Sequence, residues 1–175
     1  MSLMSSGSQF AEPTLGKRAI VCAGVYDAGM QAIPEQYQKE GGPTSRKQVI
    51  LFYELNETSP DTGKRFCLPI FCNNTLTRQP ATSKLLAHAD ALGGHVLTEL
   101  EINEGVDLET FVGECVMGEI GRNKKGRVTI VGVESLQYPV KDSFTAEWEW
   151  TGQQGNVPNV VATMRERSLD SGVPF

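Results

Sequence analysis

Residues 47–56, KQVILFYELN, split by alternate positions into Val49, Leu51, Tyr53 and Leu55 on one side and Gln48, Ile50, Phe52 and Glu54 on the other. A period of two is the mark of a strand whose faces meet different surroundings. The wholly apolar set is the core face of this strand, and the set flanked by Gln48 and Glu54 is the more open one. A chain built around such a segment needs partner strands, and the sequence supplies them on both sides. Residues 17–28, KRAIVCAGVYDA, are rich in Val, Ile and small residues and read as a first strand, with Gly24 permitting a bulge. Residues 64–72 form a third, with Phe66, Leu68, Ile70 and Cys72 inward and Arg65, Cys67, Pro69 and Phe71 outward. Pro69 marks an edge or bulged position, because proline has no N–H for a ladder.

Between the first two strands, residues 31–46 hold Pro34, Gly41, Gly42 and Pro43, a polar loop expected to be mobile. The turn ETSPDTGK joins the second strand to the third. Further on, Thr82 or Ser83 can cap a helix in which Leu85, Leu86, Ala89 and Leu92 fall at helical spacing and Gly93 offers the stop. After an acidic segment, in which DLETFVG reads as a helical turn or two, residues 114–120 and 128–136 form strands around the loop GRNKKGR. The expected fold is therefore mainly β, in the order β-β-β-α-β-β. That is the element order of a five-stranded OB-fold barrel, which binds oligonucleotides or oligosaccharides on the face of strands 2 and 3 and through loops 1-2 and 4-5. An open five-stranded α+β sheet has the same order. In 175 residues this leaves a Ser-rich N-terminal arm (1–15) expected to be disordered, the sheet domain (16–140) and a C-terminal extension or tail (141–175).

The charge balance, 16 Lys and Arg against 21 Asp and Glu for a net of −5, excludes a uniformly basic nucleic-acid binder. The charge is polarised, however. Residues 85–121 carry acids and no Lys or Arg, whereas Arg122, Lys124, Lys125 and Arg127 form a wholly basic loop. Arg46, Lys47 and Arg65 stand at the ends of strands 2 and 3, and Arg18 opens strand 1. Such cations can meet phosphates while Phe52 and Phe71, on the open face, stack bases. This pattern fits single-stranded nucleic acid. The same basic run also fits a solvated hairpin loop, and a strand aromatic also fits a core.

Catalytic signatures are lacking: there is no GxxxxGK[ST], GxGxxG, GxSxG or HExxH. Cys22, Cys67, Cys72 and Cys115 lack CxxC spacing and read as buried reduced thiols, and His88 and His95 have no evident partner. No cofactor, metal or enzymatic activity is expected. No apolar run approaches the roughly 20 residues that span a bilayer, and no signal segment is evident, so a cytoplasmic location without membrane contact is expected.

The segments AIVCAGVYDAGMQ, KQVILFYELNE and GECVMGEIGRNKKGRVTIVGVESL, with a Gln-Tyr-Gln loop and a GKR before strand 3, resemble small phage-encoded OB-fold single-stranded DNA-binding proteins of replication and recombination. The likeness covers residues 17–140. It implies single-stranded DNA binding without catalysis, the direction in which the cations and aromatics named above already point. The ending Asp-Ser-Gly-Val-Pro-Phe is similar to the tail of bacterial single-stranded DNA-binding proteins. That similarity implies that Asp170, Pro174 and Phe175 engage a replication or recombination partner. Trp148 and Trp150 fit an extra strand or a dimer contact, in keeping with a homo-oligomer. The alternatives are a virion structural or assembly protein that uses a β-barrel for subunit contacts, and a nuclease that uses the acidic segment.

Overall fold

The structure, a computed structural model, describes residues 10–136, 143–148 and 158–169. Strands β1 (Gly16–Ala32), β2 (Ser45–Thr58) and β3 (Arg65–Asn73) come first, followed by helices α1 (Lys84–Gly93) and α2 (Glu99–Glu104). Strands β4 (Cys115–Arg122) and β5 (Val128–Ser135) complete the sheet, and helix α3 (Asn159–Arg167) belongs to the C-terminal extension. The five strands are antiparallel in the order β3-β2-β1-β4-β5. Strands β3 and β5 are the two edges, and among the described residues no ladder closes one onto the other.

The face expected for the core is the core. Val49, Leu51, Tyr53 and Leu55 of β2 are buried with Ile20 and Cys22 of β1, Ile70 and Cys72 of β3, Val116 and Ile120 of β4 and Ile130 of β5. Helix α1 closes this side with Leu85, Leu86, Ala89 and Leu92. Each fully buried Leu or Ile contributes about 1.5–3 kcal/mol. Ser83 caps α1 through its side chain, which accepts from the Leu86 N–H, and Gly94 ends it in the left-handed region at φ 75°. A bidentate pair then pins the exit of α1: Arg78 Nη1 and Nη2 each lie 2.8 Å from an Asp90 carboxylate oxygen, and the Leu97 N–H donates to Asp90 at 2.9 Å. Where β1 and β4 pair, Gly118 leaves room for the Ile20 side chain, whose end a Cβ there would displace.

Several elements exceed the sequence expectation. Strand β1 runs past Gly29 to Ala32 because two bulges, at Cys22/Gly24 and Asp27/Gly29, absorb the glycines instead of ending the strand. The 1-2 loop is correspondingly shorter and contains a 3-10 turn at Glu35–Tyr37. Helix α2 was not distinguished from the acidic segment around it, although Thr98 and Glu101 form a complete capping box. Residues 10–15 of the arm, expected to be disordered, are docked. The Ala11 N–H donates to Asp61 at 2.6 Å, Glu12 pairs with Arg122 and the Thr14 N–H donates to Glu57 at 3.0 Å. Cys22 and Cys72 are buried and Cys115 half-buried, but Cys67 is exposed, because it sits on the outer face of edge strand β3. No helix among the described residues is long and apolar enough to cross a membrane.

The second sheet face carries its own apolar cluster, in which Tyr26, Ala28, Ile50 and Phe52 are buried with Val161 of α3 and flanked by Trp148. The Phe52 and Trp148 rings meet edge to face at 5.5 Å, and Tyr26 meets Phe52 at 5.6 Å. Trp148 thus packs against its own chain and not in an added strand, while Trp150 lies outside the described residues. Helix α3 lies against the part of β1 beyond Val21, where pairing with β4 has ended. There the Leu169 N–H donates to the Met30 carbonyl at 2.8 Å, and Gln31 Nε2 donates to the Met164 carbonyl at 2.7 Å.

Candidate nucleic-acid interface

Strand register sets out the second face in rows. Gln48 lies opposite Asn73, Ile50 opposite Phe71, Phe52 opposite Pro69 and Glu54 opposite Cys67, and Arg46 continues the same side of β2 toward the 1-2 loop. The C-terminal extension covers the middle of these rows. Phe52 is therefore only 5% exposed, which corrects the expectation that it presents an open stacking surface. Phe71, at the rim on edge strand β3, is 40% exposed.

The expected basic residues divide by what faces them. Arg18 Nη1 lies 2.6 Å from Glu57, Arg122 Nη2 lies 2.5 Å from Glu12, and Arg65 pairs with Glu54 at 3.1 Å and Glu147 at 3.3 Å. Partial burial raises the Glu57 pKa, but the Thr14 N–H and the Arg18 guanidinium outweigh it and hold the carboxyl below its usual value. Arg18 and Arg65 are thus held in part-buried pairs, whereas the Arg122–Glu12 pair is exposed. Arg46, Lys47, Lys124, Lys125 and Arg127 form no side-chain ion pair with any described residue.

The 4-5 loop holds its cations on a tied turn. Asn123 Oδ1 accepts from the Lys125 N–H at 2.9 Å and the Arg127 N–H at 3.0 Å, and Gly126 takes φ 80°. Only a residue without Cβ adopts that backbone at no cost, which explains a glycine inside a basic run. The hairpin therefore offers Lys124, Lys125 and Arg127 on one fixed loop.

At the other end, the start of β2, the end of β3 and the start of α1 enclose a cavity of about 450 Å3 lined by Arg46, Gln48, Phe71, Asn73, Thr75, Ser83 and Lys84. Lys84 Nζ donates to the Phe71 carbonyl at 3.0 Å, which holds its ammonium at the wall. Gln48 Nε2 lies 3.4 Å from Asn73 Oδ1, a long contact that leaves both amides further hydrogen-bonding capacity. Sequence reasoning found Arg46 and Phe71 but missed Lys84, Gln48 and Asn73. The signal for Lys84 was its place directly after the helix-capping Ser83, opposite the end of a strand that returns to the 1-2 loop.

Neither histidine is free. His88 Nδ1 lies 2.7 Å from the Tyr53 hydroxyl in the core, and His95 pairs with Glu101 at 2.9 Å. Among the described residues no group of three His, Cys, Asp or Glu side chains is placed to hold a metal ion. Asp170, Pro174 and Phe175 lie outside the described residues. Comparison of the chain with protein-family models, with curated proteins and with solved structures found no match.

Proposed function

We propose that this protein binds single-stranded DNA, with phosphates on Arg46, Lys47, Lys124, Lys125 and Arg127 and a base on Phe71, and that it does so without a chemical step. One observation carries this reading. In a chain of net charge −5, Arg18, Arg65 and Arg122 are matched by carboxylates, while Arg46 and Lys47 at the 1-2 end, where the Phe71 ring is exposed, and Lys124, Lys125 and Arg127 of the 4-5 loop at the other end of the sheet form no ion pair with any described residue. Unmatched cations on a protein surface attract a polyanion, and releasing its counterions makes the binding salt-dependent. An exposed ring favours unstacked bases over a closed duplex.

We read the sheet as an OB-type sheet. Its order places β3 and β5 at the edges that a barrel would bring together, and α1 packs against the core beside them. The resemblance to phage single-stranded DNA-binding proteins points the same way, toward protecting displaced strands in a host cytoplasm and recruiting partners through Asp170, Pro174 and Phe175.

The test is fluorescence anisotropy of a labelled oligo-dT of about 30 nucleotides, long enough for several sites of the usual size, beside the equivalent duplex at two salt concentrations. Tight, salt-sensitive binding to the single strand alone is the expected result. No binding at low salt, together with a large stable assembly in solution, overturns it in favour of the virion assembly role. A second expectation isolates the hairpin: Lys124→Gln with Lys125→Gln should lower the slope of log affinity against log salt by about 1–2, since each phosphate contact on single strands contributes roughly 0.7. An unchanged slope would remove the 4-5 loop from the interface.

A further inference from the structure

We infer that the cavity between the start of β2, the end of β3 and the start of α1 is a seat for one nucleotide of the bound strand, its phosphate between Arg46 and Lys84 and its base against Phe71. This rests on the single-strand reading above and goes beyond it by fixing where a base and its phosphate lie and by adding Lys84, Gln48 and Asn73 to the interface.

The cavity has the size and chemistry for it. At about 450 Å3 it falls within the roughly 300–1,000 Å3 of small-molecule sites. Its lining includes two cations and no acid, in a chain with more acids than bases. Arg46 is half-buried and unpaired among the described residues, so its guanidinium keeps its fork of donors for a phosphate. Lys84 spends one ammonium donor on the Phe71 carbonyl and retains two. That same hydrogen bond ties the ammonium to the residue whose ring forms the base platform. Phosphate and base sites are therefore fixed relative to each other by one short contact.

The amide pair supplies the polar edge. Gln48 and Asn73 face each other across β2 and β3, one row from Phe71, and their 3.4 Å contact is loose enough to be exchanged for hydrogen bonds to a base. Both amides have a donor and an acceptor, so such a seat accepts any base and discriminates weakly. That suits a protein that coats strands irrespective of sequence. Ser83 does not take part, because its hydroxyl donates to the Thr75 carbonyl at 2.6 Å and accepts from α1.

The experiment has two arms. In the first, ultraviolet crosslinking of the unmodified protein to oligo-dT, mapped by mass spectrometry, should place an adduct on the peptide containing Phe71. In the second, Phe71→Leu, Arg46→Gln and Lys84→Gln are titrated with the same oligonucleotide, with melting curves to establish that each is folded. Lys17→Gln, a surface lysine paired with Glu134, serves as the reference. Each of the three should weaken binding about tenfold, the scale of one lost stack or charged contact, and the two cation variants should also flatten the salt dependence. Strong binding by the unmodified protein, with adducts only elsewhere and three variants that match Lys17→Gln, overturns the nucleotide seat and leaves the single-strand reading standing. No binding by the unmodified protein overturns both.

Discussion

Replacing Arg65 by Ala is expected to cost about 3–5 kcal/mol, the usual penalty for leaving a buried charge without its partner and a large fraction of a domain's typical stability. Glu54 is only 2% exposed and is satisfied by three donors: Arg65 Nη1 at 3.1 Å, the Glu147 N–H at 2.8 Å and the Trp148 N–H at 3.0 Å. Arg65 in turn donates to the Thr145 carbonyl at 2.8 Å, pairs with Glu147 and lies 5.3 Å from the centre of the Phe144 ring. The guanidinium is therefore the rivet that holds residues 144–148 to the sheet, and removing it strands a carboxylate in a low-dielectric site. Urea melts followed by tryptophan emission check this directly, because Trp148 packs on Phe52 only while the segment stays docked. The paired change Arg65→Met with Glu54→Gln should recover part of the loss, since it removes the unpaired buried charge and keeps an amide oxygen for the Glu147 and Trp148 N–H groups. A single-variant loss below about 1 kcal/mol, the range of an exposed pair, would mean that Glu54 is reached by water and the ion pair behaves as a surface one.

The second large effect is on acid stability. Burial pushes the His88 pKa down from 6.5 to about 4, with repulsion from the nearby Lys84 ammonium adding to it, and Tyr53 is its hydrogen-bonding neighbour. A base with a depressed folded-state pKa leaves the unfolded chain binding the extra proton between the two values. Its contribution is therefore complete above pH 6.5 and is lost as pH falls from 6.5 toward 4. At 1.36 kcal/mol per pKa unit the loss over this window is about 3 kcal/mol. Denaturant midpoints at intervals from pH 7.5 to pH 4 should show the decline, and His88→Gln, which cannot ionise, should flatten it while lowering stability at neutral pH. His95 acts with the opposite sign: its carboxylate partner Glu101 raises its pKa, which favours the folded state only while the imidazole is charged. It is exposed and weakly coupled, so the decline should follow His88. A profile for His88→Gln as steep as the parent's would assign the acid sensitivity to the paired carboxylates instead.

Much of this fold was legible because period two is a local signal. The alternation in β2 named its core face correctly, Gly24 marked a bulge, and Ser83 bounded α1 at its start, while the expected stop at Gly93 falls one residue before the capping Gly94. The errors came where a tertiary partner overrode local chemistry. Gly29 looked like a strand end, but the Asp27 carboxylate accepts its N–H at 2.7 Å and the strand continues through a bulge. Phe52 looked open because nothing within strand β2 covers it. Its cover comes from Trp148 and Val161, about a hundred residues away, a separation that no periodicity reports. The pairing of Arg18 with Glu57 and of Arg122 with Glu12 was hidden for the same reason, and with it the division between structural and available cations.

The docking of α3 against β1 also bears on the exposure of a strand edge. Among the described residues the β4-side edge of β1 has no strand neighbour beyond Val21, and α3 with Leu169 lies against that stretch. An uncovered strand edge is a template for strands of other molecules, and the usual remedies are charge, bulges or a covering helix. Here the two bulges and α3 act together on the same stretch. A chain shortened before Asn159 thus leaves the bulges as the only guard on this edge and uncovers Tyr26, Ala28 and Ile50 beside it, and is expected to aggregate more readily through intermolecular β pairing.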